Sequence, residues 1–90
     1  MHSLKDLRVA VVGLGYVGLP LALALGKKRP VICFDINAQR ISELQNNLDV
    51  TMEHTQQEIS CSTQSCFTNS TADIQDCNFY IVCVPTLIGF

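Results

Sequence analysis

Apolar positions in this chain fall into blocks separated by short polar or glycine-rich stretches. Leu7–Val12 (LRVAVV) is rich in Val and almost unbroken, the pattern of a parallel strand covered on both faces. Val31–Phe34 (VICF) reads as a second short strand, and Asn78–Val84 (NFYIVCV) as the strongest strand of the chain. Between the first two, a helix is predicted from about Tyr16 through Lys28. Its Leu21, Ala24, Leu25 and Lys28 follow a spacing of three and four, which places Leu21 and Leu25 on the sheet. Pro20 falls in or just after the first turn, where the helix N–H groups lack partners, so a proline loses little there. Lys27, Lys28 and Arg29 sit where the helix dipole favours positive charge, and Pro30 stops the helix.

Asn37 is a plausible N-cap for a helix over about Ala38–Asn47, with Ile41 and Leu44 or Leu48 as its apolar stripe. Thr51–Ala72 is dominated by Ser, Thr, Asn and Gln. It predicts a short helix around Thr55–Ile59 and a weak strand near Cys66–Thr68, followed by a brief helix or turn over Ala72–Cys77. The resulting order, β-α-β-α-(short β)-α-β, defines an α/β fold with a parallel sheet of about four strands, flanking helices and right-handed crossovers.

Composition narrows the function. With 90 residues the chain is one domain at most, and its small net charge of −2 with 48% hydrophobic residues excludes a disordered chain. Six basic against eight acidic residues gives no electrostatic footprint for nucleic acid. The five cysteines, Cys33, Cys61, Cys66, Cys77 and Cys83, are odd in number and contain no C-x-x-C. They read as plain thiols of a cytoplasmic protein rather than a disulfide framework. His2 and His54 are isolated, and no metal-ligand spacing supports them. The uncharged run Val9–Gly26 resembles a membrane or signal segment by hydropathy alone. Gly13, Gly15, Gly18 and Pro20 break it, and its β-branched half and Leu/Ala half read as strand, turn and helix, with no membrane role.

The turn carries the candidate chemistry. Gly13-Leu14-Gly15-Tyr16-Val17-Gly18 matches G-x-G-x-x-G between a predicted strand and a predicted helix, and Asp35 lies 20 residues after Gly15 at the end of the next strand. That context is the dinucleotide-binding fingerprint of a Rossmann fold. Gly13 permits the tight turn, Gly15 lets a pyrophosphate approach the backbone, and Gly18 lets the helix pack on the strand. The N–H groups near Tyr16 and Val17 point at the phosphates, with the positive helix end behind them. Asp35 is placed to accept both hydroxyls of the adenosine ribose. A 2′-phosphate would meet this carboxylate, so NAD is favoured over NADP. Arg40, one turn into the next helix, is a candidate for covering the adenine or its ribose. Pro85 and Thr86, at the end of the last strand, are candidates near the switch point of the sheet, Thr86 as a hydroxyl donor to the cofactor.

Taken together, VAVVGLGYVGLPLALALGKK, FDINAQRISEL and CNFYIVCVPT resemble the UDP-glucose/GDP-mannose dehydrogenase family. Within that family they look like the UDP-N-acetyl-hexosamine 6-dehydrogenases of bacterial surface polysaccharide synthesis. The resemblance runs from about Leu7 to Thr86, and G-Y-V-G-L-P is far more specific than the glycines alone. It implies a four-electron oxidation of a UDP-sugar C6 hydroxyl to a carboxylate with two NAD per turnover. It also implies that Gly13–Gly18, with Val17, hold the pyrophosphate, that Asp35 and Arg40 hold the adenosine end, and that Thr86 lies near the nicotinamide. The family's catalytic Cys, Lys, Asn and Asp belong to later segments that this chain lacks, so no catalytic residue is assigned here. The family pattern V-P-T-P is replaced after Thr86 by Leu87-Ile88-Gly89-Phe90.

The chain therefore reads, over 1–90, as the N-terminal half of an NAD-binding Rossmann domain without its substrate domain. NAD is the expected partner, and a UDP-sugar is a partner only in a full-length relative. A stand-alone NAD-sensing or interaction module and a non-functional remnant are the alternatives. In a 3-2-1-4-5-6 strand order, Asn78–Val84 would lack its outer neighbour, and such an apolar edge predicts self-association.

Overall fold

A computed structural model describes residues 7–15, 17–49 and 55–83. Along the chain run β1 (Val9–Val12), α1 (Gly18–Gly26), β2 (Val31–Phe34), α2 (Ala38–Gln45), α3 (Gln56–Cys61), β3 (Ser65–Thr68), a 3-10 turn (Thr71–Ile74) and β4 (Phe79–Val82). The four strands form one parallel sheet in the order β3-β2-β1-β4. The fold class and the four-stranded parallel sheet with flanking helices are thus as the pattern predicted.

The register places Phe67, Cys33, Val11 and Ile81 in one row across the sheet. Val9, Val11, Val31 and Cys33 pack with Leu19, Leu23, Ile41, Leu44 and Ile59 in a single core, so the helices cover this face. The central strand β1 is buried on both sides, Ala10 included, as its unbroken apolar run required. The opposite face carries Ile32, Cys66 and Tyr80 beside Ala10. There the Tyr80 hydroxyl donates to the Ile74 carbonyl of the 3-10 turn at 2.5 Å.

Three expectations are corrected. Helix α1 does not pack through Leu21 and Leu25. Its buried face is Gly18, Leu19, Ala22, Leu23 and Gly26, with Leu25 only partly buried against the core. Nearly every side chain of α1 is apolar, so periodicity cannot choose the face. The small residues Gly18, Ala22 and Gly26 choose it, because only they let the helix axis approach the sheet. The helix also ends at Gly26 rather than Lys28. Finally, α2 ends at Gln45 rather than Asn47, which takes φ 59° and reverses the chain; of the two expected stripes, Ile41 with Leu44 is the buried one, and Leu48 is exposed.

The polar stretch has a structural task. α3 opens with a capping box in which Thr55 and Glu58 satisfy each other's backbone N–H groups. After α3, the Ser62 hydroxyl donates to Leu23 O at 2.8 Å and Gln64 N–H to Gly26 O at 2.9 Å. The last carbonyls of α1 are thus closed by residues that lead directly into β3. Ser62 is buried in consequence, and a Cβ on Gly26 would meet Ser62 and Ser65 Oγ.

Strand β4, the strongest by sequence, is an edge of the described sheet. Phe79 is 50% and Val82 61% exposed, whereas their partners on β1 are buried (Val9) or partly buried (Val12).

Candidate functional site

The site lies at the carboxyl ends of β1 and β2. At the end of β1, Gly13 takes φ 98°, a conformation that side chains rarely adopt, and its N–H donates to Phe34 O at 2.8 Å. A Cβ on Gly13 would run into the Cys83 carbonyl just past β4, and one on Gly18 would run into the Gly13 carbonyl. These two glycines are therefore fixed by backbone-to-backbone packing. Gly15 differs, since a Cβ there would meet nothing within 4 Å. It is exposed on open space at the mouth of the loop, and Val17 beyond it is 71% exposed.

Helix α1 starts here without a side-chain cap at Val17. Gly15 O accepts the Leu19 N–H at 3.1 Å, so the loop is wound directly into the helix. Among the described residues, no backbone acceptor takes the N–H of Gly15 or Val17. Donors left open at a positive helix end suit an anion.

Asp35 ends β2 and reaches across to this loop. Its Oδ2 accepts the Leu14 N–H at 2.9 Å and its Oδ1 accepts the Asn37 N–H at 2.9 Å. The carboxylate is thereby held half-buried at the lip of the loop, with lone pairs left over for a ligand. Asn37 caps α2 as expected, its Oδ1 accepting the Arg40 N–H at 3.1 Å. Arg40 also turns back to the loop, where Nε donates to Leu14 O at 3.0 Å and Nη1 pairs with Asp49 Oδ1 at 2.8 Å.

Gly13, Gly15, Val17, Gly18, Asp35 and Arg40 thus converge around one loop. Tyr16, Pro85 and Thr86 lie outside the described residues, as do His2 and His54. Sequence reasoning missed Leu14 and Asp49. Leu14 is wholly buried and anchors the loop in the core; the signal was an apolar residue between two glycines. Asp49 left no signal, because its partner is nine positions away across a turn. Two of the thiols, Cys33 and Cys77, are shifted by burial. Burial pushes Cys33 up to about 12, outweighing a hydrogen bond from Ser65, so it stays protonated near neutral pH. Burial also raises Cys77 above its ordinary value.

A glycine loop opening a helix and tied to an acid at the end of the neighbouring parallel strand defines a dinucleotide-binding fold of the Rossmann type. A search against known proteins carries this further. Residues 7–88 match the model of the UDP-glucose/GDP-mannose dehydrogenase family, NAD binding domain, and the chain belongs to that family. It is 54% identical over 85 residues to a UDP-N-acetyl-D-glucosamine 6-dehydrogenase of Pseudomonas aeruginosa, covering 94% of this chain and 20% of that protein. The enzyme of the same name from Salmonella typhi is 47% identical over 89 residues, 99% of this chain and 21% of the other. Among solved structures, a GDP-mannose dehydrogenase ternary complex from Pseudomonas aeruginosa shares the fold with a TM-score of 0.78. That match has 21% identity and covers 90% of this chain and 20% of that one. The chain spans about a fifth of the length of these relatives. No helix among the described residues is long and apolar enough to cross a membrane.

Proposed function

We propose that this chain is the NAD-binding segment of a nucleotide-sugar dehydrogenase that acts on a UDP-N-acetylated hexosamine. The tie between Leu14 and Asp35 carries the reading, because it makes the phosphate loop and the ribose acid one preformed site. The open space at Gly15 fits a pyrophosphate, which would take the N–H groups of Gly15, Tyr16 and Val17, while Gly13 and Gly18 hold the turn. Asp35 would accept the ribose hydroxyls through its remaining lone pairs. Arg40 would line the adenosine side, its Nε and Nη1 already tied to the protein. Pro85 and Thr86 would stand toward the nicotinamide. NAD, when bound, supplies the hydride acceptor for oxidation at the sugar C6. The part given to this chain's residues is to bind and orient the cofactor. The two relatives named as UDP-N-acetyl-D-glucosamine 6-dehydrogenases support the choice of sugar class. Five unpaired cysteines fit a cytoplasmic setting.

Equilibrium titration tests the cofactor reading. NAD is expected to bind saturably and NADP at least about tenfold more weakly, since the 2′-phosphate faces the Asp35 carboxylate. Equal or tighter binding of NADP would reject the role given to Asp35.

The exposed Phe79 and Val82 on edge strand β4 favour a second property, self-association of this chain. Sedimentation at tens of micromolar should show dimers or larger species. A monomer throughout the range would contradict it.

A further inference from the structure

The contacts around Leu14 close into a ring. Asp35 accepts the Leu14 N–H and the Asn37 N–H, Asn37 accepts the Arg40 N–H, and Arg40 Nε returns to the Leu14 carbonyl. Both polar groups of the central loop residue are thereby gripped, one by an acid and one by a base. Asp49 stands outside the ring and anchors it. Its side chain is 0% exposed, that of Arg40 only 12%, and they meet at 2.8 Å. A carboxylate at that depth needs its counter-ion, so the guanidinium cannot swing away without leaving a buried charge behind.

The charge matters as much as the seat. A dinucleotide site that takes a 2′-phosphate does so with an Arg close to the ribose. Here an Arg does grip the same loop residue, Leu14, as the ribose acid, yet a buried carboxylate already holds it. We infer that Asp49 is a positioning residue of the cofactor site: it seats Arg40 on the Leu14 carbonyl, fixing the phosphate loop. By cancelling the Arg40 charge it also denies a 2′-phosphate its counter-ion. The second half rests on the reading that Asp35 receives the adenosine ribose.

Two variants separate the effects. Asp49→Asn keeps the shape and one acceptor oxygen but removes the charge. The ratio of NADP to NAD affinity should rise about fivefold, because one unscreened cation is released near the ribose. Arg40→Lys keeps the cation near Asp49 but loses the planar fork that reaches Leu14 O. It should leave that ratio unchanged and raise amide hydrogen exchange at Leu14 about fivefold in the unliganded chain, with Ala10 and Val11 in β1 unaffected. In Asp49→Asn, the Leu14 exchange should also rise. A fall of both affinities by the same factor in Asp49→Asn would reduce Asp49 to a merely structural residue and overturn the specificity claim. Unchanged Leu14 exchange in Asp49→Asn would overturn the positioning claim. If the wild-type chain takes neither nucleotide, the ribose reading and the specificity claim fall together. The exchange measurement still decides whether Asp49 positions the loop.

Discussion

Gly13→Ala is expected to remove most of the folding stability, whereas Gly15→Ala leaves the melting temperature unchanged and removes cofactor binding. The two substitutions are chemically identical and sit two residues apart, so the contrast isolates geometry. At Gly13 a methyl group must adopt φ 98° and meets the Cys83 carbonyl, which is backbone and cannot turn aside. Strain of about 1–3 kcal/mol from the dihedral and a further ~1–3 kcal/mol from overpacking consume much of a small domain's stability of roughly 5 kcal/mol. At Gly15 the methyl group enters open space, so stability should change by less than about 0.5 kcal/mol. The same space is the proposed seat of the pyrophosphate, and NAD affinity should fall at least about a hundredfold. Thermal melts and NAD titrations of both variants check the pair. Equal loss of stability in both would contradict the division between a packing glycine and a ligand glycine.

Asp35→Ala has the second large effect, and it acts twice. In the unliganded chain it strips the acceptor from the Leu14 and Asn37 N–H groups, both of which are met at 2.9 Å. About 1–3 kcal/mol of stability goes with them, at the low end because the carboxylate is half-exposed. On NAD binding it further loses two charge-assisted hydrogen bonds to the ribose. At about 1.5 kcal/mol each, the lower bound, that is on the order of a hundredfold in affinity. Asp35→Asn retains one acceptor oxygen and should fall between the two. Calorimetric titration beside a melt separates the structural loss from the binding loss. An Asp35→Ala chain that binds NAD as well as the wild type would remove Asp35 from the site.

The sequence carried the sheet and the loop well, for a physical reason. Strands buried on both faces must be apolar throughout, and a loop that packs backbone on backbone must use glycine, so VAVV and Gly13–Gly18 could be read directly. The spacing to Asp35 was legible because the βαβ unit has a nearly fixed length. The face of α1 was not, since a helix apolar all round has no phase until Gly18 and Gly26 dock. The Arg40–Asp49 pair escaped because it crosses the reversal at Asn47, where no helical spacing connects the partners. The burial of Ser62 escaped as well. A serine in a polar stretch looks exposed until the carbonyl it closes, Leu23 O, is known.

The function proposed for this chain requires that it bind NAD at the Gly13–Gly18 loop and Asp35. The NAD titration followed by amide chemical shifts, residue by residue, tests that most directly. The predicted result is saturable shifts concentrated at Gly13, Gly15, Val17, Gly18 and Asp35, with the groove between α2, α3 and β3 near Gln45, Ser60 and Thr63 unmoved. Shifts confined to that groove, or none at the loop at millimolar NAD, would contradict it.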